Sequence, residues 1–295
     1  MARFGRVATA MVTPFDDDGG LDVDAAVALA KFLVTEGNEG LVVSGTTGES
    51  ATLTIDEKLT LFEAISSAVT VPVVGGTTGA NTRQDMGLTA EASKLGLAGI
   101  LIVSPYYNRP SLAGIEAHHR AIASVTDLPI MMYDIPKRTG RKAETATLIK
   151  LASEVSNIVA LKDAAGDPSE TAKVIAACPD LEVYSGDSPM NLPLMALGAV
   201  VVVGVCTHWA APDHVQKLNA WAAGELSAAQ HHNRRLIDSY LFEGNDDAPN
   251  PVQPKVMMQT LGHPVGACRL PMGPAPAGTA DEARGVYERL VASRG

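Results

Sequence analysis

The stretch NIVALKDAAG, residues 157–166, carries the apolar run Ile158-Val159-Ala160-Leu161 directly into Lys162. An ammonium at the end of such a run is poorly hydrated, and desolvation favours the neutral amine. Moving a lysine from about 10.4 toward roughly 7 corresponds to about 4–5 kcal/mol in favour of the form that attacks carbonyl carbon. Lys162 shares side-chain parity with Ala160 and Ile158, so a strand that turns those residues inward carries the amine inward as well. The plainer alternative is a wet strand end from which Lys162 reaches water.

Other segments offer partners for such an amine. In GTTGES, Gly45 and Gly48 permit a tight turn whose free N–H groups and the hydroxyls of Thr46 and Thr47 suit a carboxylate. The same residues also make an ordinary glycine turn, and the near copy GGTTGAN at 75–81 shows how little the tetrapeptide says alone. In YDIPKRTG, Tyr133 is either a proton-relaying phenol or an aromatic that fills space. Arg138 is either a bidentate carboxylate ligand or a solvated surface arginine.

The elements that must position these groups follow a regular rhythm. Short β-branched runs begin at Val7, Gly40, Val71, Gly99, Leu128, Asn157, Leu181 and Ala199. Most are continuously apolar, which predicts parallel strands covered on both faces. Helices are predicted over 22–35, 54–68, 82–95, 111–125, 144–154, 169–177, 190–197 and 212–222, the second opening on the capping box Thr54 to Glu57. Eight such units give the fold class: α/β, a (β/α)8 TIM barrel rather than an open doubly wound sheet. Beyond Gly224 the strand runs stop, and helices are predicted over 227–242, 254–261 and 279–292. The domain reading is a catalytic barrel over 1–224 and a C-terminal helical extension over 225–295. In barrels of this kind the working groups lie at the C-terminal strand ends, which is where GTTGES, YDIPKRTG, Lys162 and SGDS fall.

Composition narrows the function classes. A net charge of −10 with no Lys/Arg-rich run argues against nucleic acid. Cys178, Cys206 and Cys268 are odd in number and far apart, which fits reduced thiols in the cytoplasm and no CxxC centre. The apolar segment 7–12 is short for a signal-peptide core, and 192–206 is too short and too broken by Pro193 and Gly198 to span a membrane. No HExxH, GxxxxGK or GxSxG occurs, the 16–22 acidic turn lacks calcium-loop spacing, and no metal site is expected. Asp187 after the seventh strand run disfavours a phosphorylated substrate.

Together the motifs TPF at Thr13, GTTGES, SPYYNRPS, YDIPKRTG, LKDAAGD, SGD, NPVQPK and RLPM resemble, in order and over nearly the whole chain, the dihydrodipicolinate synthase and N-acetylneuraminate lyase superfamily of Schiff-base aldolases. GTTGE and the placing of Arg138 are most similar to the branch that condenses pyruvate with aspartate 4-semialdehyde. The resemblance implies that Lys162 forms an imine with pyruvate, that Thr47 holds the pyruvate carboxylate, and that Tyr133 relays protons through Thr46 to Tyr107 of a neighbouring subunit. Arg138 would bind the semialdehyde carboxylate, and Gly186 and Val203 would line the pocket. It also implies a homotetramer or homodimer and no metal or organic cofactor, because the protonated imine is the electron sink. Aldolases for 2-keto-3-deoxy sugar acids or neuraminate, and a noncatalytic metabolite-binding relative, are the alternatives.

The chain departs from that family's pattern at Asp134 and around His208, both expected near the site. Ser50, Ala51, Asn81, Asp85 and Tyr106 correspond to the family's lysine-effector site, although Asp85 replaces a longer glutamate. Ile55 and Lys58 replace two effector-site histidines, so weak or absent lysine inhibition is expected, because a cation repels an ammonium.

Overall fold

The computed structural model describes residues 2–294, with the side chain of Val201 excepted. Its parallel strands close in sequence order into a barrel: β1 Val7–Ala10, β2 Gly40–Val43, β3 Val73–Gly76, β4 Gly99–Val103, β5 Ile130–Asp134, β6 Ile158–Asp163, β7 Glu182–Ser185 and β8 Val201–Gly204. The expected TIM barrel is the observed fold. The runs beginning at Val71 and Leu128 become strand only at Val73 and Ile130: the Pro72 and Pro129 carbonyls accept from the Leu41 and Ile100 N–H groups, but the prolines have no N–H of their own to place in the ladder.

The helical layer comprises α1 Val23–Thr35, α2 Ile55–Ala68, α3 Thr82–Ala92, α4 Leu112–Ala123, the single turn α5 Pro136–Thr139, α6 Thr145–Glu154, α7 Pro168–Ala177, α8 Asn191–Ala196 and α9 Thr207–Ala222. The capping box of α2 forms: the Glu57 N–H donates to Thr54 Oγ1 at 3.2 Å, and the Thr54 N–H donates to Glu57 Oε2 at 2.8 Å. Helix α9 starts five residues before the expected Pro212 and bends at Ala210 (φ −123°), where the missing N–H and the bulk of the ring are absorbed.

Strand β6 corrects one inference from parity. Ile130 pairs with Ile158 but Met131 pairs with Ala160, so Val159 is an extra residue, a β-bulge. Ile158 therefore packs outward under the helices with Leu161, whereas Ala160 packs inside the barrel with Met131 and Tyr133. Lys162 is paired with Tyr133 and follows Ala160 inward.

The extension contains α10 Leu226–Arg235, α11 Ile237–Leu241, α12 Val252–Thr260 and α13 Thr279–Ala292. The single helix expected over 227–242 is broken at Leu236, which is fully buried, and no proline or glycine marks that break. Leu236, Tyr240, Phe242, Met257, Val286 and Leu290 share one apolar cluster with Cys206 and Trp209, so the extension packs on the barrel through α9. Buried Asp213 of α9 fastens it further, accepting from Arg235 and Arg294 at 2.7 Å each. Among the described residues, no helix is long and apolar enough to cross a membrane.

Candidate active site

Lys162 is 5% exposed, and its Nζ lies 4.5 Å from the centroid of the Tyr133 ring on neighbouring β5. Burial pushes the amine down to about 7; the carboxylate of Glu243 opposes that shift and Arg138 reinforces it. The stem of Lys162 packs against Gly186, just past β7, where an added Cβ would stand 2.7 Å from the lysine Cε and 2.8 Å from its Cγ. No side chain fits there without displacing the amine. Burial raises the Tyr133 phenol to about 12, while Arg138 and a hydrogen bond with Thr46 pull it back. At neutral pH this phenol holds its proton beside an amine that readily gives one up.

The GTTGES loop is held open by an unusual backbone. Ser44 and Glu49 both have left-handed φ, 57° and 54°, a conformation that costs a non-glycine residue free energy and persists only when its surroundings enforce it. Enforcement comes from three directions. Thr13 Oγ1 donates to the Gly48 carbonyl at 2.7 Å. Glu49 is ion-paired with Lys255 of α12 at 2.7 Å and accepts the Arg269 N–H at 2.9 Å, all buried or partly buried. Asn250 Nδ2 donates to Thr47 Oγ1 at 3.0 Å, which leaves the threonine hydroxyl proton free to donate elsewhere. The Asn250 carbonyl in turn accepts from Arg138 Nη2 at 3.2 Å, so Thr47 and Arg138 are linked through the extension. The near copy at 75–81 is engaged differently: Thr78 Oγ1 accepts the Val103 N–H and Thr77 bonds Thr89.

A cavity of about 260 Å³ opens at this end of the barrel. Thr46, Tyr133, Arg138, Ser50, Ala51 and Tyr106 line it, together with Asn250, Pro271 and Met272 of the extension. Lys162, Thr47, Gly186 and Val203 lie outside its lining, with the Tyr133 ring common to the cavity and to Lys162. Val203 belongs to the inner barrel cluster with Tyr133 and Ala160. Tyr107 is apart from all of these: it is 95% exposed and held at φ 69°.

Two departures from the family pattern act away from the cavity. Asp134 points outward from β5, accepting Lys142 Nζ at 3.0 Å and the Ala143 N–H at 3.1 Å, and so pins the loop that carries Arg138. His208 is fully buried; its Nε2 accepts the Val12 N–H at 3.1 Å and its Nδ1 donates to the Val205 carbonyl at 2.7 Å. Burial lowers it to about 4, so this imidazole is a neutral strut between the ends of β1 and β8. Of the expected effector residues, Asn81 caps α3, while Asp85 accepts the Gly79 N–H at 3.0 Å and lies near Lys58 and Tyr106.

Comparison with known proteins fits the same assembly. The chain matches the model of the dihydrodipicolinate synthetase (DHDPS) family over residues 3–288. The chain belongs to the dihydrodipicolinate synthetase family. It is 44% identical to the 4-hydroxy-tetrahydrodipicolinate synthase of Moorella thermoacetica over 273 residues, 92% of each chain. Among solved structures it is similar to a DHDPS from Cyanidioschyzon merolae with lysine bound, at TM-score 0.95, 39% identity and 99% coverage of both chains. The dihydrodipicolinate synthase of Bacillus anthracis gives TM-score 0.93 at 38% identity, covering 98% of this chain and 99% of that one.

In this DHDPS-family chain, several groups around the site escaped a reading of strand ends. Glu49, Asn250 and Lys255 lie in or next to the quoted motifs GTTGES and NPVQPK, but their pairing joins residues about 200 positions apart and follows only from the packed extension. Glu243 lies just past the predicted helix 227–242 with no motif to mark it, yet its carboxylate reaches the ends of β7 and β8.

Proposed function

We propose that the chain condenses pyruvate with L-aspartate 4-semialdehyde to 4-hydroxy-tetrahydrodipicolinate, the committed chemistry of lysine and diaminopimelate synthesis, through an imine at Lys162. The observation that carries the reading is an amine held near neutrality under a protonated phenol, inside a barrel whose sequence and fold are those of the DHDPS family. The neutral Lys162 amine adds to the pyruvate ketone, and loss of water from the carbinolamine leaves the protonated imine. Its positive nitrogen accepts the electrons released when a methyl proton leaves, so the enamine forms without a metal or organic cofactor. The enamine carbon then attacks the aldehyde carbon, and a proton passes to the new alkoxide. The amino group of the semialdehyde adds to the imine carbon, closes the ring and releases Lys162 as the free amine.

Each neighbour has a part in that sequence. Thr47, whose hydroxyl proton is left free by Asn250, donates to the pyruvate carboxylate together with loop N–H groups. Tyr133, kept protonated by burial, supplies and retrieves protons, with Thr46 as its hydrogen-bond partner. Exposed Arg138 at the cavity mouth receives the second substrate's carboxylate. Gly186 and Val203 shape the wall behind the amine. A fully exposed aromatic held at positive φ fits a residue that works on another molecule, and Tyr107 completes the relay in a second copy of the chain, in a homodimer or homotetramer.

The test is a coupled assay that offers pyruvate with aspartate 4-semialdehyde, and separately 2-keto-3-deoxy sugar acids and neuraminate. Turnover of the semialdehyde that disappears in Lys162→Ala is expected. Preferential cleavage of a sugar acid would move the chain to the sibling reaction.

A further inference from the structure

Glu243 follows α11 in the extension and turns its carboxylate onto the top of the barrel. Its Oε1 accepts from Ser188 Oγ at 2.6 Å and from the Cys206 N–H at 2.8 Å. Ser188 stands two residues beyond Gly186, the glycine whose backbone packs directly on the Lys162 stem, and the Gly186 N–H donates to the Asp163 carbonyl at 2.7 Å, next to Lys162 in β6. Cys206 stands two residues beyond β8. One carboxylate thus ties together the two strand ends that follow β6 around the ring.

We propose that Glu243 is a positioning residue for Lys162: it fixes the β7 loop against the lysine stem and supplies the fixed negative charge that faces the cationic imine. The inference rests on the imine reading above. Burial raises the Glu243 carboxyl above its usual range, and the Ser188 hydroxyl and the Cys206 N–H, both aimed at it, pull it back toward the ionised form. The surrounding charges leave that role to Glu243. Arg138, from the loop after β5, acts on Lys162 with the opposite sign. Asp187, from the loop after β7, bears on Glu243 and Tyr133, and Asp134 bears on Tyr133 from the outer side of β5. Lys217 of α9 is fully buried, but its Nζ is engaged by Tyr240 Oη at 2.9 Å. Cys206, Tyr240 and Lys217 each feel the Glu243 charge, and of these only the lysine carries charge of its own at neutral pH.

The experiment follows borohydride trapping of the pyruvate adduct on Lys162 against pH, by peptide mass, in the full-length protein and in Glu243→Gln and Glu243→Asp. Glutamine keeps an acceptor for Ser188 and Cys206 and removes the charge, so the pH midpoint of trapping is expected about one unit lower and the KM for pyruvate higher. Aspartate restores the charge and is expected to bring the midpoint back toward that of the unaltered protein. Ser188→Ala, which weakens the hold on the carboxylate, gives a smaller shift in the same direction and serves if Glu243→Gln does not fold. A midpoint unmoved or raised in a folded Glu243→Gln overturns the inference. Failure of the unaltered protein to trap pyruvate at Lys162 would instead defeat the imine reading itself.

Discussion

Lys162 and Lys255 are both buried near the top of the same barrel and both sit over an aromatic ring, Tyr133 at 4.5 Å and Phe15 at 4.1 Å. Their partners differ. Lys255 is paired with Glu49 at 2.7 Å and donates to the Ala267 carbonyl at 2.9 Å, whereas Lys162 has a phenol ring overhead and Glu243 only as a more distant charge. The same side chain is therefore a bolt in one place and, on the proposed imine reading, a nucleophile in the other. A buried amine is available for chemistry when nothing else claims its charge, and it holds a structure together when something does.

Substitution of both lysines by methionine separates these roles most strongly. Lys162→Met should lower the rate on the order of 10⁴-fold or more while raising stability by on the order of 1–3 kcal/mol, because a costly buried charge is gone. The sign follows from linkage. The folded value near 7 lies below the unfolded 10.5, so Lys162 makes stability climb as pH rises between the two, and the methionine variant should lose that part of the slope. Urea unfolding across pH 6 to 10 reads it, and a Lys162→Met protein less stable at neutral pH would contradict the contrast. Lys255→Met should act the other way, leaving Glu49 buried and unpaired at a cost of about 3–5 kcal/mol. A loss below about 1 kcal/mol would show that the ion pair does not anchor the loop.

Two smaller effects sharpen the comparison. Tyr133→Phe keeps the ring over the amine but removes the proton, so kcat should fall about 10²- to 10³-fold while borohydride still traps pyruvate on Lys162. Loss of trapping together with turnover would assign the phenol to holding the amine rather than to proton transfer. The smallest effect is an expected silence. With Lys58 already facing Asp85 where the resemblance places the effector site, free lysine should inhibit weakly or not at all. Inhibition at micromolar lysine in a steady-state assay would refute it.

Much of this was legible in the residues because strand and helix periodicity is local. Apolar runs punctuated by caps such as Thr54 to Glu57 place every barrel strand within a few residues, and the position of Lys162 at the end of its run marks an amine that the structure does bury. The bulge at Val159 was hidden, since an extra residue in a ladder leaves no mark on hydrophobic periodicity; parity from Ala160 held and parity from Ile158 did not. Asp134 and His208, expected near the site, turn out to brace it from behind rather than to line the cavity, because the face a strand residue takes and the partners it finds depend on packing. Asn250, Lys255 and Glu243 reach the barrel top from the extension, and contacts of such long separation have no local signature.

The central claim is that the Lys162 amine titrates near neutral pH, so that a large share of it is uncharged there, and is the group that bonds the keto acid. Trapping of pyruvate with borohydride, read residue by residue as pH is varied, tests it most directly. The account requires a single adduct on Lys162, with none on buried Lys217 or Lys255, and a midpoint near 7. A midpoint near 10, or an adduct on another lysine, would contradict it.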